Sequence, residues 1–295
     1  MKKIAFLFPG QGSQAVGMGK SFHDQSEEAR RIFKTADEAL GYPLSRLCFE
    51  GPEDELKLTR NTQPALLTVS TIAYRLLGLT PALAAGHSLG EYSALVAAGV
   101  LGFEDAVRLV HKRGQYMQDA VPVGVGAMAA VIGLGFEAVE AAIGRVKSGV
   151  VQVANWNAPD QIVISGHTQA VEEALRLAKP PRSVMLPVSA PFHSPLMRGA
   201  EERLAVDLDE VEFADLRFPI ITNVDARMIR TGAEARDGLK RQVSRPVMWT
   251  RSMELLSGEA IDAFVEVGAG RVLSGLIKRI GRGWTHPFIL LNVED

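Results

Sequence analysis

Gly86-His87-Ser88-Leu89-Gly90 constrains this chain more than any other segment. Apolar residues 83–85 precede it and helix-forming residues 91–98 follow. A strand that passes straight into a helix over so few residues leaves no room for side chains beside the bend, which accounts for the flanking glycines. The central serine is then held in a strained backbone conformation, with its hydroxyl at the C-terminal edge of a sheet. The first N–H groups of the new helix, beginning with Leu89, point where an oxyanion would form. The plainer alternative is a common glycine-rich turn in which Ser88 only caps the helix. The strand before and the helix after favour a nucleophile.

Such a turn belongs to an α/β fold, and the remaining pattern agrees. Short apolar runs at 4–8, 83–85, 218–222, 263–267 and 288–291 read as strands of a largely parallel sheet. Helical spacing covers 24–40, 64–77 and 103–120, a segment running from 195, one ending at Gln242, and 271–280. The middle reads differently. Strands at 127–132, 150–154, 161–165 and 183–188, with helices at 136–146 and 168–177, give the order β-α-β-β-α-β. This order predicts a ferredoxin-like α+β unit at 125–192, inserted into a catalytic domain made of 1–124 and 193–295. Gly124 and Gly126 on one side, and Pro191 and Pro195 on the other, read as its hinges. A cleft between the units is the natural place for a ligand.

Of the 295 residues, 47% are hydrophobic and 22% charged, enough for one large core and a small second one. A net charge of −2 gives no field that would draw the chain to nucleic acid or an anionic membrane. No apolar run reaches the roughly 18–20 residues of a membrane helix. The basic start, Lys2-Lys3, precedes an apolar run that Pro9-Gly10 ends too early for a signal peptide. One cysteine, Cys48, permits neither an internal disulfide nor a cysteine-based metal site, so a cytoplasmic location is expected.

Phe8-Pro9-Gly10-Gln11-Gly12-Ser13-Gln14 follows the first strand directly. Gly10, Gly12 and Ala15 fit the dinucleotide fingerprint G-x-G-x-x-G/A. That motif needs an acidic residue about 20 residues on, at the end of a second strand. Asp37 and Glu38 lie inside a helical run instead, so an NAD(P)-dependent oxidoreductase is a distant reading. Alternatively, both loops leave the carboxyl ends of strands, and the Gln11 main-chain N–H supplies a second oxyanion donor beside Ser88. A purely structural turn is the remaining possibility.

A serine nucleophile needs a general base. Of six histidines, His23 lies in a polar region, His111 on a helix, His87 beside the nucleophile and His167 at a turn before a helix. His193 and His286 remain. His193 sits in Ser189-Ala190-Pro191-Phe192-His193-Ser194-Pro195, where the inserted unit returns to the main one and prolines limit the loop's freedom. His286 precedes the last strand, with Asp262 or Glu266 upstream as an acid partner, giving a serine hydrolase or thioesterase.

In order along the chain stand Phe8-Pro9-Gly10-Gln11-Gly12-Ser13-Gln14, Gly86-His87-Ser88-Leu89-Gly90-Glu91-Tyr92-Ser93-Ala94, Arg113-Gly114, the run from Gly126 to Gly133, Pro191-Phe192-His193-Ser194, Asn223-Val224-Asp225 and Glu266-Val267-Gly268. From end to end the chain resembles the malonyl-CoA:acyl-carrier-protein transacylases of bacterial fatty-acid synthesis, whose relatives include acyltransferase domains of polyketide synthases. The resemblance implies an α/β-hydrolase-like domain with a ferredoxin-like insertion. It implies Ser88 as the acylated nucleophile, His193 as base, and Gln11 and Leu89 N–H groups as the oxyanion hole. It also implies Arg113 for the malonyl carboxylate and the carbonyl of Gln242, rather than an acid, to orient the histidine. A guanidinium suits a carboxylate through two parallel hydrogen bonds. Phe192 and Met117 would line the acyl pocket, and a bulky Phe192 accompanies malonyl rather than methylmalonyl use in related domains.

The same resemblance implies a ping-pong transfer from malonyl-CoA to acyl carrier protein, with no metal or prosthetic group and a monomeric enzyme. Carriers are acidic, so Lys179, Arg182, Lys278, Arg279 and Arg282 are docking candidates. Lys278 and Arg279 also suit a helix C-terminus without any partner. A carrier-binding scaffold without turnover is the non-enzymatic alternative.

Overall fold

A computed structural model describes residues 2–188 and 190–294. Ser189, the first residue of the irregular segment before His193, lies outside the described residues, as do Met1 and Asp295. The strands are β1 (Ile4–Phe8), β2 (Leu83–Gly86), β3 (Gly126–Ile132), β4 (Val151–Ala158), β5 (Gln161–His167), β6 (Arg182–Met185), β7 (Ile220–Ile221), β8 (Met228–Ile229), β9 (Ala263–Val267) and β10 (Ile289–Val293).

Six strands form one sheet in the order β10-β9-β1-β2-β7-β8. All neighbours in it are parallel except the β7–β8 pair. β1 is central and buried on both faces. Phe6 and Phe8 enter the larger apolar cluster, while Ala5 and Leu7 join Phe264 and Trp249 on the other side. That is the period-two alternation of a strand covered by helices on both faces. The other four strands form an antiparallel sheet ordered β4-β5-β3-β6 with its own core, including Val131, Ile162, Ile164 and Val171. This is the ferredoxin-like strand order read from the β-α-β-β-α-β pattern.

Several boundaries depart from expectation, each for a local reason. The helix expected over 24–40 is two, Lys20–Gln25 and Glu27–Leu40, because extended Ser26 caps the second by accepting from Ala29 N–H. The helix expected from Pro64 begins at Thr59, with Pro64 inside it. Proline cannot donate to the Arg60 carbonyl one turn back; His111 Nδ1 does so instead, at 2.9 Å. β4 runs on to Ala158 through two irregularities, since its second half also bridges Val247. The strand expected at 218–222 is only Ile220–Ile221, and β8 was not expected at all. Helices Leu44–Glu50, Glu53–Lys57 and Trp249–Ser257 are additions.

Gly126 and Pro191, two of the expected hinge residues, pack on each other: a Cβ on Gly126 would stand 2.3 Å from Pro191 Cγ. Among the described residues, no helix is long and apolar enough to cross a membrane.

Candidate active site

The serine turn is as tight as its glycines require. A Cβ on Gly86 would lie 1.9 Å from the Gly90 carbonyl oxygen, and one on Gly90 would lie 2.0 Å from that of Phe8. Ser88 has φ 50° and ψ −106°, a conformation a residue with a side chain adopts only when its surroundings enforce it. Asn223 does this. Its Oδ1 accepts from Ser88 N–H at 2.6 Å and its Nδ2 donates to the Gly86 carbonyl at 2.6 Å. The side chain thus straps both ends of the bend.

Ser88 Oγ lies 2.8 Å from His193 Nε2. His193 Nδ1 lies 2.9 Å from the main-chain carbonyl of Gln242. A carbonyl can only accept, so Nδ1 carries the proton and Nε2 is left to receive the serine's. His193 too has positive φ, 54°, and Gln152 Nε2 holds its carbonyl at 2.6 Å. Burial, followed by the Arg113 charge, pushes the imidazole down from 6.5 to about 3. It is therefore a neutral acceptor at physiological pH.

Arg113, on helix Phe103–Asp119, is only 1% exposed. Its Nη2 donates to Ser88 Oγ at 3.1 Å and to Gln242 Oε1 at 3.0 Å, while its buried Nε has no partner among the described residues. Gly114 makes this burial possible, since a Cβ there would stand 2.6 Å from Arg60 Cα on the neighbouring helix. The Gln11 and Leu89 main-chain N–H groups have no hydrogen-bond partner among the described residues. Gln11 is anchored through its side chain to Thr59 at 3.3 Å.

Gln11, Ser88, Leu89, Arg113 and His193 line one cleft of about 390 Å³ between the two sheets. Gln11, Ser88, Leu89, Arg113, Met117 and His193 come from the parallel-sheet part or border it; Met128, Asn155 and residues 186–188 come from the other. Phe192 and Met117 lie on its wall, buried. Gln242 stands behind, fully buried.

The rival base is elsewhere. His286 pairs with Asp262 at 3.3 Å, is about a third exposed and is not among the cleft residues. Glu266 is occupied in accepting from the Leu273 and Ser274 N–H groups at a helix start. Nor does the glycine loop hold a dinucleotide fingerprint's geometry, because Asp37 bonds Ser45 from within a helix. Lys179, Arg182, Lys278 and Arg282 are exposed, Arg279 is bonded to Gln161, and none of the five lines the cleft. Lys57, unremarked in the sequence reading, does. So does Gln63, whose buried Oε1 lacks a partner among the described residues. The other groups missed were Glu91, Asn223 as a strap, Gln152 and Asn155. Their motifs carried no spacing signal, because each acts across segments far apart in sequence. Among the described residues no cluster of three or more His, Cys, Asp or Glu could hold a metal.

A strained serine at the edge of a parallel sheet, with a neutral histidine in hydrogen-bond reach, is the arrangement of the serine-nucleophile α/β class. Residues 5–282 match the acyl transferase domain family, and the chain belongs to it. The malonyl CoA-acyl carrier protein transacylase of Bacillus subtilis (strain 168) is 49% identical over 290 residues, 96% of this chain and 92% of its own. That of Escherichia coli (strain K12) is 47% identical over 288 residues, 95% and 93%. An acyl carrier protein S-malonyltransferase from Vibrio cholerae superposes with a TM-score of 0.95 at 45% identity, over 99% of this chain and 97% of that one. A malonyl-transacylase solved in complex with its type II PKS acyl-carrier protein superposes at 0.94 with 42% identity, over 99% and 96%.

Proposed function

We propose that this chain transfers a malonyl group from malonyl-CoA to the pantetheine thiol of an acyl carrier protein, through a malonyl ester on Ser88. The observation that carries the reading is a buried guanidinium 3.1 Å from a serine oxygen that already has its base. A site that only hydrolysed neutral acyl groups has no use for such a charge, whereas an acyl group ending in a carboxylate does.

His193 Nε2 takes the Ser88 proton as Oγ attacks the thioester carbonyl. The oxyanion rests on the Gln11 and Leu89 N–H groups. The C–S bond then breaks, and the imidazolium returns its proton to the departing thiolate. The carrier's thiol repeats the steps in reverse, giving the malonyl thioester and free Ser88. Arg113 holds the malonyl carboxylate throughout, and Phe192 and Met117 bound the acyl chain. Residues 125–192 form the inserted unit that closes the cleft over the main domain. Lys57 and the exposed cations Lys179, Arg182 and Lys278 give an acidic carrier something to meet.

Intact mass after mixing with malonyl-, methylmalonyl- and acetyl-CoA tests the proposal. A malonyl adduct that dominates in competition, disappears in Ser88→Ala and is discharged by a carrier is expected. Absence of any adduct with the wild-type chain refutes it.

A further inference from the structure

We infer that Glu91 is a positioning residue for the transfer proposed above, on which this inference rests: its carboxylate fixes the Gln242 amide that joins Arg113 to the Ser88 turn. Glu91 follows Ser88 by less than one helical turn and is 1% exposed. It accepts from Gln242 Nε2 at 2.7 Å and from Asn223 N–H at 3.1 Å. These are the same two residues that hold the nucleophile's bend and its base.

The orientation of Gln242 follows from its neighbours. A guanidinium only donates, so Arg113 requires Oε1, which lies 3.0 Å away. An ionised carboxylate only accepts, so Glu91 requires Nε2. Nε2 also donates to the Ser88 carbonyl at 3.0 Å, and the Gln242 main-chain carbonyl takes the His193 Nδ1 proton. One side chain thus touches the carboxylate-binding group and the nucleophile's backbone while its own main chain orients the base. Glu91 gives Nε2 a charged acceptor beside the Ser88 carbonyl and so tightens the orientation that Arg113 requires.

Its charge is in play near neutrality. Burial pushes the carboxyl up to about 7, against the hydrogen bonds from Gln242 and Asn223. The charged groups around it are Arg113 from helix Phe103–Asp119, which favours the anion, and Asp225 beyond β7, which opposes it. Tyr92 on its own helix stays a neutral phenol, held well above its usual range by burial. Ionisation of Glu91 as pH rises locks Gln242 and supplies Arg113 with a counter-charge.

The test is the single-turnover rate of Ser88 acylation by malonyl-CoA between pH 6 and 8, for wild type and Glu91→Gln. A neutral amide can present either a donor or an acceptor, so Gln242 Nε2 loses its charged acceptor and the amide is held less tightly. The variant is expected to lose about tenfold to a hundredfold in kcat. KM for malonyl-CoA stays level or falls, because Arg113 keeps its charge beside one fewer anion. The wild-type rate rises through about pH 7, and the variant's is flat. Glu91→Asp, which keeps the charge, restores the rising limb. A Glu91→Gln variant with wild-type kcat and pH profile overturns the inference. Should that variant not fold, a wild-type rate without a limb between pH 6 and 8 overturns it as well. Both results leave the malonyl adduct on Ser88 intact, so they are distinguishable from failure of the transfer reading, in which wild type forms no adduct.

Discussion

Ser88 Oγ and His193 Nε2 meet at 2.8 Å across 105 positions of chain, and both residues stand on backbone with positive φ. Each such conformation costs about 1–3 kcal/mol and persists only where its surroundings enforce it. Asn223 enforces the first through two hydrogen bonds, and Gln152 holds the carbonyl of the second. The pair is therefore set before any substrate arrives. His193→Ala should slow serine acylation about 10²- to 10⁴-fold, the usual contribution of a positioned general base. His286→Ala should leave it unchanged. Rapid-quench mass measurement of the acyl-enzyme reads both, and the reverse result would hand the role to His286.

The proposed role of Arg113 is to select which acyl group is taken. Arg113→Ala should lower kcat/KM for malonyl-CoA by roughly 10- to 150-fold, as expected for losing hydrogen bonds to a charged group worth about 1.5–3 kcal/mol. Acetyl-CoA, with no carboxylate, should be spared, so the malonyl-to-acetyl ratio collapses. Arg113→Lys should restore little, because an ammonium lacks the planar fork. An unchanged ratio in Arg113→Ala would remove the residue from substrate recognition.

The turn at Ser88 was legible because steric exclusion leaves a local mark: glycine is required where a Cβ would strike backbone. The inserted sheet was legible because its element order is local too. Arg113 was not, except through family resemblance, since a basic residue on an amphipathic helix reads as a solvated one. What buries it is the approach of a second helix over Gly114, a contact between segments about 50 residues apart, of the same kind as His111 meeting Arg60. Gln242 was reached only through the same resemblance, and Glu91 was hidden for the same reason. Their chemistry exists only where three distant segments converge. Pro64 misled in the opposite direction, since its missing N–H marks a helix start until another element supplies the donor.

Gly114 provides a check on that burial. Gly114→Ala would place a Cβ 2.6–2.8 Å from Arg60 and Thr59 backbone atoms. Overpacking of this kind costs about 1–3 kcal/mol, to be read as a lower urea midpoint. The separation of the two helices should also move Arg113 relative to Ser88, so malonyl acylation falls more than acetyl acylation. Equal loss for both would mean that the glycine serves packing alone.

The His193 imidazole makes a prediction about pH. Its folded value is depressed from 6.5 to about 3, first by burial and then by the Arg113 charge. Unfolded chains take up this proton as pH falls through 6.5, while the folded chain resists until about 3. His193 therefore contributes to stability above pH 6.5 and loses that contribution progressively below it. Between pH 6.5 and 4.5 the loss should approach roughly 2–3 kcal/mol, since each pH unit of differential protonation is about 1.36 kcal/mol. Urea unfolding of wild type and His193→Gln at pH 7 and pH 4.5 isolates it: the variant should lose less stability than wild type over that interval, whatever its starting value. Arg113→Met should shrink the wild-type loss too, because removing the second cause lets the imidazole rise. Equal losses in wild type and His193→Gln would show that the histidine titrates normally and is not the neutral, buried acceptor that the 2.9 Å contact to Gln242 describes.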